Sequence, residues 1–147
     1  MKDDPIIILL AEDDQDDCYL ISEALSESGV HHKLFLVENG EELMDYLNHR
    51  NKFADVDKWP RPELILLDLN MPRKNGTVAL GEIKNDPKFK RIPVVALTTS
   101  QSKEDIYRTY EMGASSFITK PMTFAGLVDT MKSMGEYWEG VVKLPPE

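Results

Sequence analysis

Leu64-Ile65-Leu66-Leu67-Asp68-Leu69-Asn70-Met71-Pro72 decides the fold. Four aliphatic residues in a row, too short a run for a helix, read as a strand covered on both faces. The run stops at a carboxylate, Asp68, and passes into a loop. An open α/β sheet presents its chemistry just beyond the carboxyl ends of its strands, where loops converge. Asp68 is therefore expected at such a rim.

The same pattern recurs on either side. Ile6-Ile7-Ile8-Leu9-Leu10-Ala11 runs into Glu12-Asp13-Asp14, Ile92-Pro93-Val94-Val95-Ala96-Leu97 ends in Thr98-Thr99-Ser100, and Ser115-Ser116-Phe117-Ile118-Thr119 ends in Lys120-Pro121. Lys33 to Val37 supplies a further strand. Amphipathic stretches alternate with these runs. One spans Gln15 to Ser28, with Leu20, Ile21, Ala24 and Leu25 on one face, and Gly29 ends it. A second starts near Asn39-Gly40, and a third opens after Asn75-Gly76 and is closed by Asp86-Pro87. A fourth covers Lys103 to Met112, and a fifth begins after Pro121-Met122-Thr123 and reaches about Gly140. The stretch from His49 to Pro62 reads as a long polar connection.

Five βα units with right-handed crossovers predict an α/β fold, a doubly wound, five-stranded parallel sheet in the order 2-1-3-4-5, flavodoxin-like. In that order strands one and three are neighbours. Their ends bring Glu12, Asp13 and Asp68 together, and strands four and five add Thr98 and Lys120 from the other side.

Bulk properties narrow the setting. The 147 residues suffice for one domain with a proper core, and the net charge of -9, from 26 acidic against 17 basic residues, argues against a nucleic-acid-binding face. A single cysteine, Cys18, excludes an internal disulfide and reads as a small filler on the first helix. No charged-then-apolar leader and no long apolar run is present, so no membrane association is expected and a cytoplasmic protein is the default.

Three carboxylates in close approach raise one another's pKa and either trap protons or hold a cation. Mg²⁺ is the expectation, because it takes oxygen ligands and pairs with phosphate. Lys120 would offer a point charge to a phosphoryl oxygen and Thr98 a hydroxyl donor. Asp68 is the carboxylate placed to act as nucleophile.

The ordered set Glu12-Asp13, Leu67-Asp68-Leu69-Asn70-Met71-Pro72, Gly76, Thr98 and Lys120-Pro121 resembles the receiver domain of two-component response regulators, the CheY-like fold, over residues 6 to 140. Thr98 follows Asp68 by 30 residues and Lys120 follows Thr98 by 22, both within that family's spacing. The resemblance implies a single receiver domain over 1-147, with residues 141-147 as a tail. It further implies that Asp68 is the phosphoacceptor, taking its phosphoryl group from a sensor histidine kinase. Mg²⁺ would be held by Asp13, Asp68 and the backbone carbonyl of Asn70, with Glu12 acting through a water, while Thr98 and Lys120 would bind the new phosphoryl oxygens. Thr98 and Phe117 would be the switch pair, the Lys120-Pro121 bond would be cis, and Asn70 and Ser100 would flank the path of hydrolytic water. Phe117 replaces the family's common tyrosine, so switching would proceed without a phenolic hydrogen bond. The chain would not be an enzyme beyond its self-catalysed phosphorylation and dephosphorylation.

The His49 to Pro62 connection, the run from Ile92 to Ser100 and the tail around Tyr137-Trp138 further resemble single-domain response regulators partnered with phytochrome-type histidine kinases. That narrower resemblance implies a homodimer and an output through altered protein binding. One alternative is a phosphorelay intermediate that passes its phosphate to a downstream histidine phosphotransfer protein. A haloacid dehalogenase-type phosphohydrolase would need an acid where Asn70 stands, and a nucleotide module would need glycine motifs that the chain lacks. Asp14, Asp16 and Asp17 read as first-turn acids that favour the helix dipole and stand outside the site. His31 and His32 read as exposed loop residues.

Overall fold

Alternating strands and helices build the molecule in a computed structural model that describes residues 4–71, 73–99, 102–120 and 123–136. The elements are β1 (Ile6–Ala11), α1 (Gln15–Ser28), β2 (His32–Val37), α2 (Gly40–Leu47), β3 (Leu64–Asp68), α3 (Gly76–Asn85), β4 (Val94–Thr98), α4 (Lys103–Glu111), β5 (Ser116–Thr119) and α5 (Phe124–Glu136). All strands pair in parallel, in the order β2-β1-β3-β4-β5. Strand four begins at Val94 and strand five at Ser116, a little inside the expected runs. His32 opens β2, with Nδ1 at 2.7 Å from the Val30 carbonyl, so it belongs to the sheet edge and not to the loop.

The period of two along each strand divides the core into two layers. Leu9, Ile65, Leu67, Val94 and Ala96 face α2 and α3, where Leu43, Tyr46, Ala79, Leu80 and Ile83 meet them. Ile8, Leu10, Leu64, Leu66, Val95 and Leu97 face α1 and α5, packing on Ile21, Leu25, Leu127 and Met131. Because β1, β3 and β4 are covered on both faces, their sequences are apolar throughout. Side-chain caps start the helices: Asp14, Asn39 and Asn75 accept hydrogen bonds from the backbone N–H groups of Asp17, Glu42 and Val78. Gly29, at φ 79, ends α1 in the left-handed conformation that glycine tolerates.

The stretch from His49 to Pro62 departs from its reading as a polar connection. It contains a 3₁₀ turn, Asn51–Phe53, and sends Phe53 and Trp59 back onto Tyr46. The three rings lie 5.1 to 5.9 Å apart between centroids, and the Tyr46 hydroxyl donates to the Pro60 carbonyl at 2.8 Å. Two aromatic residues among many polar ones leave no periodicity to read, yet their burial anchors the segment. Among the described residues no helix is long and apolar enough to cross a membrane. The tail from 137 onward, Ser100 and Pro121 lie outside the described residues, as do the expectations placed on them.

Candidate phosphoryl-transfer site

Register places the reactive residues. Ala11 pairs with Leu67, Asp68 with Leu97, and Thr98 with Thr119, so β1, β3, β4 and β5 end at one level. One further backbone bond carries the chain past three of those ends: the N–H of Glu12 donates to Val37 (3.0 Å), that of Leu69 to Leu97 (2.8 Å), and that of Lys120 to Thr98 (2.7 Å). The side chains of Glu12, Asp68 and Lys120 thereby converge, although Glu12 and Lys120 are 108 positions apart.

The Lys120 Nζ lies 2.6 Å from Glu12 Oε1, 3.0 Å from Asp17 Oδ2 and 3.5 Å from Asp68 Oδ2. Asp17 therefore belongs to the site, contrary to the reading that left it among the first-turn acids. Only docking of α1 on the sheet reveals this. Asp14, by contrast, is a cap. Glu12, Asp13 and Asp68 each offer an oxygen within 4.8 Å of the others. Glu12 is 1% exposed and Asp68 3%, whereas Asp13 is exposed, so the cluster opens to solvent on one side.

Burial pushes the Glu12 carboxyl up to about 8, with the Asp68 carboxyl adding to the rise and Lys120 opposing it. Asp13 is raised as well, by partial burial and by Asp68. Lys120 is held above the ordinary lysine range: burial opposes its charge, but hydrogen bonds to Glu12 and Asp17 outweigh that. An oxygen-only set of crowded carboxylates fits a hard divalent cation, which offsets the repulsion that burial amplifies.

Asn70 and Thr98 form the opposite wall. The Asn70 N–H donates to Asp68 Oδ1 at 2.9 Å, and its side-chain amide donates to Thr98 Oγ1 at 3.4 Å. Thr98 is buried at the end of β4. Behind it a cavity of about 140 Å³ separates Thr98 from Phe117, which is half-buried with its ring centroid 6.4 Å from that of Tyr110.

The loop from Asp68 to α3 is tightly held. Arg73 and Lys74 take left-handed φ values of 46 and 62, disfavoured for side-chain-bearing residues. Gly76 lies against the strand end: a Cβ there would overlap the Asp68 carbonyl oxygen and sit 2.5 Å from Leu69 Cα. Gly40 is equally confined, since its Cβ would overlap the Lys74 carbonyl oxygen. Both glycines permit backbone approach. The left-handed pair and the Gly40 contact had no sequence signal.

The family profile of the response regulator receiver domain matches residues 8–132. Response regulator Rcp1 of Synechocystis sp. is 38% identical over 141 residues, covering 96% of this chain and 94% of Rcp1. Among solved structures, the phosphorylated cyanobacterial phytochrome response regulator RcpA is similar with a TM-score of 0.86 at 42% identity, over 97% of this chain and 99% of its own. The Mn²⁺-bound form of Rcp1 is similar with a TM-score of 0.84 at 38% identity, over 97% and 100%. The acidic cluster of Glu12, Asp13 and Asp68 fits a divalent-metal site of this kind. In strand order, in the rim that its strand ends build and in sequence across most of its length, this chain belongs to the response regulator receiver domain family.

Proposed function

We propose that the chain is a phosphorylation switch in which Asp68 accepts a phosphoryl group from a sensor histidine kinase and the altered surface changes protein binding. The observation that carries this reading is the placement of the Asp68 carboxylate at a strand end, 3.5 Å from the Lys120 amine and within reach of two further acids. An Asp68 carboxylate oxygen attacks phosphorus, forming an acyl phosphate as the bond to the donor's histidine nitrogen breaks. The scaffold's task is alignment and charge balance, since the transferring group needs little covalent help.

Glu12, Asp13, Asp68 and the backbone carbonyl of Asn70 would hold the metal, taken to be Mg²⁺, with Glu12 acting through a water. A divalent ion there would supply neutralisation of phosphoryl charge. Lys120 turns from its carboxylate partners toward a phosphoryl oxygen, and the Thr98 hydroxyl donates to another. Movement of Thr98 toward the phosphoryl group enlarges the space behind it, and Phe117 follows into that space without needing a hydrogen bond of its own.

Of the relatives, the phytochrome response regulator RcpA supports a phytochrome-type kinase as the donor. It also favours the switch over a relay to a downstream histidine phosphotransfer protein. The test is intact mass after incubation with acetyl phosphate, with and without Mg²⁺, beside Asp68→Asn. A gain of one phosphoryl group that requires both Mg²⁺ and Asp68 is expected. Undiminished labelling of Asp68→Asn would refute the site.

A further inference from the structure

At the amino ends of β3 and β4, away from the Asp68 rim, positive charge gathers. Residues 84–91 hold Lys84, Lys88, Lys90 and Arg91 against one carboxylate, Asp86, in a chain of net charge -9. The loop is braced from within: the Lys84 Nζ donates to the carbonyls of Lys90 (3.0 Å) and Ile92 (2.7 Å). Between this loop and the end of α2 lies a cavity of about 330 Å³, walled by Leu47, Pro62 and Phe89 and edged by His49, Arg61 and Lys88.

The two cations converge on one ring. The Arg61 Cζ lies 5.9 Å and the Lys88 Nζ 5.3 Å from the Phe89 centroid. Among the described residues Arg61 forms no ion pair, and Lys88 meets Asp86 only at 3.9 Å. The other polar contact of Lys88, to Asn48 Oδ1, is long at 3.4 Å. Among the described residues neither cation is committed to a strong partner. His49 closes the cavity in a left-handed conformation, φ 52, with Nε2 at 2.9 Å from the Trp59 carbonyl.

We infer that this cavity binds a phosphate monoester. Arg61 presents paired N–H donors whose planar fork matches phosphoryl oxygens, and Lys88 supplies a second positive charge. Leu47, Pro62 and Phe89 receive the organic part. The volume is at the small end of ligand cavities, which begin at about 300 Å³, and suits a mononucleotide-sized ester better than an extended one. Bare phosphate would leave the apolar walls without a partner.

The test is a titration of the full chain with AMP, inorganic phosphate and adenosine, followed by amide chemical shifts in EDTA so that metal-dependent binding at Asp68 is suppressed. Saturable shifts centred on His49, Arg61 and Phe89 are expected with AMP, weaker ones with inorganic phosphate, and none with adenosine. Arg61→Gln should weaken AMP binding by about 10-fold or more, as loss of a bidentate charged contact does, while Asp68→Asn should leave it unchanged. Lys88→Gln, at an exposed position, provides the same readout if Arg61→Gln fails to fold. Equal binding of AMP and inorganic phosphate, saturation by adenosine, shifts confined to the Asp68 loop, or unaltered affinity in the folded variants would overturn the inference.

Discussion

Alanine at two glycines of the same helix should act in opposite directions. Gly76 opens α3 against the end of β3, where a Cβ would overlap the Asp68 carbonyl oxygen and lie 2.5 Å from Leu69 Cα and 2.9 Å from the Asp68 carbonyl carbon. All three atoms are backbone, so no rotamer change relieves the contact. The Gly76 N–H also donates to the Leu69 carbonyl at 3.1 Å, tying the helix start to the loop that follows Asp68. Overpacking of this sort costs about 1–3 kcal/mol, and alanine's helix preference returns at most ~1 kcal/mol, less in a first turn. A net loss of about 1–2 kcal/mol follows, which lowers the melting temperature of a chain this size by roughly 3–8 °C. Gly81 lies inside α3, and its Cβ would meet only Met112 Cε at an ordinary 3.5 Å. Gly81→Ala should therefore stabilise by up to ~1 kcal/mol. Urea unfolding of both variants in metal-free buffer measures the pair. Acetyl phosphate labelling adds a second readout: displacing the Asp68 backbone by about an ångström should slow the Gly76→Ala variant up to ~100-fold while it remains folded, and leave Gly81→Ala at the parent rate. Parent-like stability and labelling for Gly76→Ala would refute the close-approach argument.

Lys120→Met removes the cation shared by Glu12, Asp17 and Asp68 and leaves buried carboxylates without it; a loss of about 3 kcal/mol is expected by calorimetry in EDTA, with added Mg²⁺ restoring more stability to the variant than to the parent. A variant as stable as the parent in EDTA would show that the lysine does not balance the cluster. Burial, helped by the carboxylates of Glu12, Asp14, Asp17 and Glu38, pushes the Cys18 thiol up to about 11. The folded thiol thus holds its proton more tightly than the unfolded one, so its contribution to stability is present below roughly pH 8.5 and drains away as pH rises toward 11. At pH 8 its alkylation by iodoacetamide should be slower by about 100-fold in the folded chain than in urea, and equal rates would contradict the burial.

The residues legible in sequence are those whose role follows from a local pattern. Leu64 to Leu67 is apolar at every position because β3 is covered on both faces, and the change to Asp68 marks where that cover ends. The same reasoning locates Glu12, Thr98 and Lys120, and the handedness of crossovers brings those strand ends to one rim. The helix starts at Asn39 and Asn75 were legible as well, and the structure makes both residues caps that accept from a backbone N–H three residues away. Helix boundaries agree with the reading to within a residue or so for α1, α3 and α4, where a cap, a glycine or a proline ends the periodic pattern.

What the reading missed depends on which surfaces meet. Asp17 carries the same first-turn pattern as Asp16, and only the docking of α1 against α5 and the sheet brings one of the two to Lys120. Phe53 and Trp59 sit in a stretch whose polar residues hide them; Phe53 joins the core, with the half-buried Trp59 packed against it, because Tyr46 lies opposite. Sequence by itself determined the elements, their order and the identity of the acids, hydroxyl and amine at the strand ends, because secondary structure and burial are written in short-range periodicity. Tertiary structure alone decided that Asp17 shares the lysine, that Gly76 must lack a side chain, and that Arg61 and Lys88 converge on Phe89, because each depends on a distance between segments that no local pattern encodes.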